Sequence, residues 1–421
     1  MRSTSHLPAK KIYFISLGCP KNLVDSEKII GSLGAAGAVL TSVINDSDVI
    51  VINTCGFIEP ALEETEKEIQ KARRFRDKII YVYGCAVNRR QKKLKEKYPD
   101  VAAWFKLEEK NKLLDSIVAG AVKKDTRLIT TKGYAYLKIA DGCSNHCAYC
   151  TVPSIKGEYR SVDIDSLITE AYELVRLGTR EIILIGQDTT RYGTDLYGKP
   201  MLDALLGELS RIRNLKWLRI MYAHPKTVTR AVIAAIAENP KVCKYLDLPI
   251  QHINDRILGL MNRGVDRRRI ETIVCELEAI KGMSLRTTVI TGFPGETEEE
   301  FLELEEFLRE EHFSWLGAFP YCAEPATKAA QYKQLPPSTI QSRYQKILEL
   351  QKKIIISTNK KRLGETYKVL IHGRNGKFVG HAAFNAPEID SQIVVTSKKL
   401  KLGNFYDLKL SRVKGTNLYA S

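Results

Sequence analysis

Short apolar runs alternating with longer amphipathic stretches set the rhythm of the first 125 residues. Lys11–Leu17, Asp48–Asn53 and Ile79–Tyr83 read as strands. Asn22–Ala36 and Glu59–Lys78 between them carry apolar positions at helical spacing, and a strongly basic helix follows (Arg89, Arg90, Lys92, Lys93, Lys95, Lys97). Buried strands joined by helices predict a parallel, doubly wound α/β domain over residues 1–125. Each strand ends beside a cysteine: Cys19, Cys55 and Cys85 all fall just past a carboxyl-terminal strand tip. Open α/β sheets place their ligands along that edge.

A short linker around residues 126–134 leads into a second alternation over 131–335. Ala135–Ile139, Glu181–Gly186, Trp217–Met221, Tyr245–Ile250, Leu285–Thr291 and Trp315–Tyr321 are its strands. This repeat of strand and helix predicts a partial (βα) barrel. One long helix should occupy 336–362. From 363 to 421 the period shortens to strand–turn–strand, the pattern of a small antiparallel β-barrel. The whole chain is α/β and multidomain.

With 421 residues, 44% of them hydrophobic and 27% charged, the chain can bury several cores, which excludes wholesale disorder. No apolar run approaches the ~20 residues of a bilayer span, so no membrane partner is expected. The apolar stretch Ile12–Leu17 falls short of a secretory signal, so a cytoplasmic location is expected.

Lys and Arg number 65 against 49 Asp and Glu, a formal charge of +16. Residues 1–130 hold 23 basic and 16 acidic side chains and residues 364–421 hold 9 and 4, so the excess gathers at the two ends. A polyanion such as RNA suits that distribution, and so does an ordinary solvated surface.

Nine cysteines, an odd number in a chain in which no export signal is expected, do not read as a disulfide framework. Cys143, Cys147 and Cys150 cluster in GCSNHCAYCTVP. The spacing also fits one face of a helix, but Gly142, the Ser144-Asn145 pair and Pro153 favour a loop. Structural zinc asks for four ligands, commonly in CxxC pairs, and His146 or His252 would have to be recruited. Three thiolates in so short a loop suit three corners of a [4Fe–4S] cube with the fourth iron open. Cys19, Cys55 and Cys85, sharing one sheet edge, can hold a second cube in the same way. Cys243, Cys275 and Cys322 remain over.

The CxxxCxxC loop on the first strand of a (βα) repeat resembles the radical S-adenosylmethionine (SAM) superfamily. Together with SLGCPKNLVDSE (16–27), NTCGFI (53–58) and Gly84-Cys85, it is similar to that superfamily's methylthiotransferases along nearly the whole chain. The tail looks like the RNA-associated TRAM domain. SLGCPKNLVDSE, LIGQDTTRYGTDLYG, KYLDLPIQHIND and Ala386–Asp390 resemble the ribosomal branch (RimO type) more than the branch that modifies isopentenyl- or threonylcarbamoyl-adenosine in tRNA.

The resemblance implies a protein (aspartate)-methylthiotransferase that acts on an aspartyl β-carbon of small-subunit ribosomal protein S-twelve, on the ribosome or beside its rRNA. Its cofactors are two [4Fe–4S] clusters and SAM. Cys143, Cys147 and Cys150 then bind the radical SAM cluster, and Cys19, Cys55 and Cys85 the auxiliary one. SAM contacts fall at Tyr149, Gly186, Gln187, Gly292 and Glu296, although Tyr149 also reads as a core tyrosine. His252 fits either the cavity or its support.

A β-carbon has no proton that an ordinary base removes, whereas a deoxyadenosyl radical can abstract one of its hydrogens. Sulfur comes from the auxiliary cluster, the methyl group from a second SAM, and the enzyme needs an external electron donor and a sulfur source. Lys156-Gly157, Val162 after Ser161, and His381 after Gly380 depart from the family pattern. The basic residues of the tail, Lys398 and Lys399 among them, suit RNA. Glu388 and Asp390 form an acidic rim that could instead meet the protein substrate.

Overall fold

The computed structural model describes residues 9–118, 126–310, 312–396 and 399–421, with the backbone alone at position 375, so Lys398 lies outside the described residues. The chain forms two compact units. One comprises Met1–Thr130 with Thr151–Gly157, the other Thr131–Cys150 with Glu158–Ser421.

The first unit is a five-stranded parallel sheet built from β1 (Lys11–Ser16), β2 (Val39–Leu40), β3 (Val49–Thr54), β4 (Ile79–Gly84) and β5 (Ala103–Phe105), in the order β2-β1-β3-β4-β5. Alternate residues of the central strands feed two cores, as a doubly wound sheet requires. Ile50, Ile52, Ile80 and Val82 pack with helices α2 (Glu59–Ala72) and α3 (Cys85–Lys97). Ile12, Val49 and Val51 pack with α1 (Pro20–Ala35) and α4 (Lys110–Ile117). Register pairs Ser16 with Asn53, and Asn53 and Thr54 with Tyr83 and Gly84, so the three tips end level with one another. The unit also takes in α5 (Val152–Lys156), the helix that follows Cys150 in the chain.

Several boundaries differ from expectation. The second helix stops at Ala72 instead of Lys78, because Arg73-Arg74-Phe75-Arg76-Asp77-Lys78 offers the core little apolar surface. The basic helix starts at Cys85 itself and kinks at Arg90. β2 and β5, of two and three residues, are too short to show a periodicity.

In the second unit, β6 (Tyr134–Lys138), β9 (Glu181–Ile185), β10 (Trp217–Ile220), β11 (Val242–Asp247), β12 (Ser284–Thr291) and β13 (Trp315–Pro320) form an open parallel sheet in the order β13-β12-β11-β10-β9-β6. A small antiparallel pair, β7 (Ala140–Asp141) and β8 (Arg160–Ser161), stands beside it. The connecting helices are α6 (Ile164–Arg176), α7 (Leu202–Ser210), α8 (Arg230–Glu238), α9 (Asp255–Leu260), α10 (Arg267–Glu278) and α11 (Glu298–Arg309). β11 ends three residues before the expected Ile250, since Pro249 has no N–H for the ladder.

Helix α12 (Pro337–Lys360) leads to a closed barrel of β14 (Thr366–Asn375), β15 (Lys377–Ala382), β16 (Ile393–Val395), β17 (Phe405–Lys414) and β18 (Asn417–Ala420). Four of its strand pairs are antiparallel. β16 and β18 run parallel, so the barrel is mixed instead of the expected antiparallel one.

This barrel closes the amino-terminal end of the open sheet. Glu181, at the start of β9, accepts from Arg219 Nε at 2.7 Å and pairs with His381 at 2.5 Å. The other Arg219 nitrogens donate to the carbonyls of Ala382 and Ala383. Burial alone would raise the Glu181 carboxyl, but Arg219 and His381 outweigh it and hold it down to about 2. An ion pair sealed this way roughly offsets its own desolvation, while losing one partner costs about 3–5 kcal/mol, so it fixes the docking register more than it adds stability. His381 thus reaches across from the barrel to the Glu181 carboxylate.

The expected acidic rim is not free for a substrate. Asp390 is buried against Tyr245 (2.8 Å) and Arg286 (3.4 Å), and Glu388 accepts from the hydroxyls of Tyr134 and Tyr136. Both carboxylates fasten the tail to the sheet, a long-range contact invisible to local pattern.

Candidate functional site

Three turns bring the amino-terminal thiols to one edge of the first sheet. Cys19 precedes α1, Cys55 follows β3, and Cys85 opens α3 directly after β4. The turns are close-packed on glycine. A Cβ on Gly18 (φ +88°) would lie 3.0 Å from Cys55 Sγ, and one on Gly84 (φ +107°) would lie 2.5 Å from Asn53 Oδ1. No other residue type takes such positions without strain.

Asn22 knits the turns together. Its Nδ2 donates to the carbonyls of Leu17 (3.1 Å) and Thr54 (2.9 Å), Cys85 Sγ donates to its Oδ1 at 3.6 Å, and its carbonyl accepts from Asn53. Thr65 holds the Cys55 carbonyl at 2.8 Å. Burial pushes the Cys85 thiol up to about 12, against a downward pull from Lys156, and burial also raises Cys55. Binding a metal centre here therefore displaces protons, as thiolate ligation requires. The Asn22→Ala variant should bind markedly less iron than wild type after anaerobic reconstitution while its far-ultraviolet circular dichroism is unchanged. Full iron loading would show that the turns hold without it.

The second set lies on the loop after β7. Ala148 is clamped on both sides: its N–H donates to the Met261 carbonyl (2.9 Å), and its carbonyl accepts from the Ala329 N–H (2.8 Å). His146 takes a left-handed conformation (φ +51°), with its carbonyl held by Asn262 Nδ2 at 2.9 Å. Asn145 donates to Asp188 Oδ2 at 2.9 Å, which ties the loop to the tip of β9. The stretch is thus a fixed loop instead of a helical stripe.

Arg263, almost fully buried, donates to Cys147 Sγ at 3.5 Å and to the Pro249 carbonyl at 2.5 Å. Tyr149 is half-buried beside Ala148, Phe293 and Tyr321, and burial raises its hydroxyl well above the usual range. Among the described residues no three His, Cys, Asp or Glu side chains converge closely enough to hold a single metal ion. Each set offers three thiols on a braced backbone, a donor set suited to a three-cysteine cluster.

The strand tips around this loop, with Arg263 after α9, carry buried polar atoms that make no hydrogen bond within the protein: Gln187 Oε1, His224 Nε2, Gln251 Oε1, His252 Nε2, Arg263 Nε and Tyr321 Oη. Each such atom costs about 1–3 kcal/mol if left unpaired. Six on one sheet edge suit a polar ligand with many donors and acceptors. Gly186 and Gln187 stand at the β9 tip.

Gly292 and Glu296 lie together, but the Glu296 carboxylate turns into its own loop. It accepts from the N–H groups of Gly292 (3.2 Å) and Phe293 (3.4 Å) and from Arg343 Nη1 of α12 (2.6 Å). Its evident work is to shape the Gly-Phe-Pro-Gly turn. His252 Nε2 stands 3.6 Å from it. Sequence reasoning missed Asn22, His224, Arg263 and Arg343. Asn22 lies within the SLGCPKNLVDSE motif, and the other three stand in no motif. Cys243 is a core residue, Cys275 is exposed, and Cys322 donates to Glu324 at 3.5 Å.

Three family models match the chain: uncharacterized protein family UPF0004 over residues 11–106, the radical SAM superfamily over 137–308, and the TRAM domain over 363–421. The fold resembles that of TsrM, a radical SAM methyltransferase from Kitasatospora setae, with a TM-score of 0.56 over 74% of each chain at 13% identity. Fold and family place the chain among the radical SAM enzymes, whose cofactors are SAM and [4Fe–4S] clusters.

A ribosomal protein uS12 methylthiotransferase RimO from a Thermoanaerobacter species is 40% identical over 94% of this chain and 96% of its own length. One from Caldicellulosiruptor saccharolyticus is 42% identical over 95% and 97%. This chain belongs to the family of the ribosomal protein uS12 methylthiotransferases.

Proposed function

We propose that this enzyme replaces a β-hydrogen of one aspartyl residue of ribosomal protein uS12 with a methylthio group. The observation that carries the reading is the second set of thiols. A radical SAM enzyme needs one cluster to cleave SAM, and Cys19, Cys55 and Cys85, level at three strand tips, supply ligands for another that can deliver sulfur. The relatives named above favour uS12 over a tRNA adenosine.

When bound, SAM and the two clusters supply the hydrogen-abstracting radical, the sulfur atom and the methyl group. The chain's own residues position them. Cys143, Cys147 and Cys150 hold one cluster, with Arg263 donating to the Cys147 sulfur. Asn22 and the glycine turns hold the other three thiols. Gln187, Gln251, His224 and Tyr149 would bind the polar and aromatic groups of SAM, and Arg343 with Glu296 fixes the Gly292 turn. Among the described residues no helix is long and apolar enough to cross a membrane. We place the enzyme in the cytoplasm, with an external electron donor and sulfur source.

Mass spectrometry of uS12 from a strain lacking the gene should show the protein lighter by one SCH₂ unit, with the unit restored on complementation. Unaltered uS12 together with lost adenosine methylthiolation would assign the enzyme to tRNA.

A further inference from the structure

The charge of the first unit is concentrated in one place. Residues 71–97 hold 11 Lys and Arg against 2 Asp and Glu, while all of 1–130 holds 23 against 16. Outside that stretch residues 1–130 have 12 basic and 14 acidic side chains, so their whole positive excess resides there.

The structure folds part of that stretch around a recess of about 780 Å³, lined by Arg73, Arg74, Phe75, Arg76, Lys78 and Asp100 among others. Asp100 is the one acid in the lining, and it is spent on Arg73, whose Nε donates to both of its oxygens at 2.7 Å. The Arg73 guanidinium and the Lys97 ammonium stand 5.3 and 5.6 Å from the centre of the Tyr98 ring, which joins the end of α2 to the end of α3. Lys78 is held by the Asn45 carbonyl and Asp77.

Among the described residues no side-chain hydrogen bond or close ion pair engages the guanidinium of Arg74 or Arg76, both of which are exposed, although Arg76 adds to the positive field at Asp100. Complementing the α2 dipole does not account for them, because the helix ends at Ala72 and they lie beyond its cap. Cations gathered in a recess repel one another and focus their field on whatever enters.

We propose that this recess binds the sugar–phosphate backbone of single-stranded RNA, with Arg74 and Arg76 on phosphates and Phe75 beneath a base. Planar guanidinium forks match phosphate oxygens, and a half-buried aromatic beside a basic groove is how single strands are held without sequence preference. RNA is chosen over an acidic peptide on the reading that the substrate belongs to a ribonucleoprotein. The recess lies at the amino-terminal end of β4, and the cysteines lie at the other end. A six-residue strand separates them by roughly 20 Å, so the recess can be altered without touching the thiols.

The test is fluorescence anisotropy of a short labelled single-stranded RNA with the full, cluster-loaded chain. R74E/R76E should weaken binding at least about tenfold near physiological salt, and losing two phosphate contacts should flatten the log–log salt slope by about 1.4. R74Q/R76Q should show a smaller loss and guards against misfolding of the reversed pair. F75L should weaken binding without changing the salt slope. K409E/R412E in the tail serves as the comparison.

Unchanged RNA affinity in R74E/R76E and R74Q/R76Q, with loss confined to the tail variant, would overturn the proposal. So would polyglutamate displacing the RNA from wild type but not from R74E/R76E at equal charge concentration. Binding is read without turnover, so a failure here is distinct from a failure of uS12 to be the substrate.

Discussion

Replacement of Cys143, Cys147 and Cys150 by alanine should reduce 5′-deoxyadenosine formation to background, with no SAM cleavage above that of buffer and reductant. Reductive cleavage of SAM needs a cluster with one iron free of protein ligands, and several buried polar atoms without a hydrogen-bond partner in the protein surround the loop of these cysteines, suited to a nucleoside and an amino acid. The effect should be all-or-none because, on the proposed assignment, the thiols carry the cluster itself. The loop backbone is held by Met261, Ala329, Asn262 and Asp188, none of which depends on a sulfur atom, so the variant should keep its fold. Iron content should fall by about half, to about four per chain, since each cube holds four. SAM cleavage at the wild-type rate would show that the radical originates elsewhere.

Replacement of Cys19, Cys55 and Cys85 should produce the opposite pattern. Deoxyadenosine should still form, uncoupled from product, and methylthiolated uS12 should fall below detection. These thiols reside in a unit with its own two cores and its own sheet. Loss of their cluster therefore leaves the second unit's loop and strand tips intact. The measurement pairs deoxyadenosine quantification with mass spectrometry of uS12 from the same reaction. Product at more than a trace would mean that sulfur reaches the substrate without these ligands. Loss of both activities, with the fold retained, would mean that the division of labour between the sets is wrong.

Much of this architecture was legible because parallel strands buried on both faces leave continuous apolar runs. Residues 49–52 and 182–185, buried throughout, are examples. A cysteine directly after such a run is readable as a strand-tip residue, so Cys19, Cys55 and Cys85 could be grouped from sequence, while Cys143, Cys147 and Cys150 are grouped by their spacing in one loop. What local pattern does not carry is who meets whom across the fold. Arg343 reaches Glu296 from 47 positions away, and His381 reaches Glu181 from 200.

Glu388 and Asp390 illustrate the error this produces. Two acids near a turn look like a solvated rim, whereas tertiary contacts bury one and engage the other. Glu296 was found through its glycine-rich turn, while the Arg343 that meets its carboxylate was not. Arg263 left no mark in the sequence at all, since a buried arginine next to a sulfur atom has no local signature.

The central claim is that the chain holds two iron–sulfur clusters, each bound by three cysteines and each with one iron open to an exogenous ligand. Mössbauer and electron paramagnetic resonance spectroscopy of anaerobically reconstituted ⁵⁷Fe-labelled wild type tests it most directly, with SAM added in one sample and methanethiolate in another. Two clusters with about eight irons per chain should appear, SAM altering the signal that C143A/C147A/C150A lacks and methanethiolate the signal that C19A/C55A/C85A lacks. A single cluster in the wild type, or one signal responding to both ligands, would contradict the account.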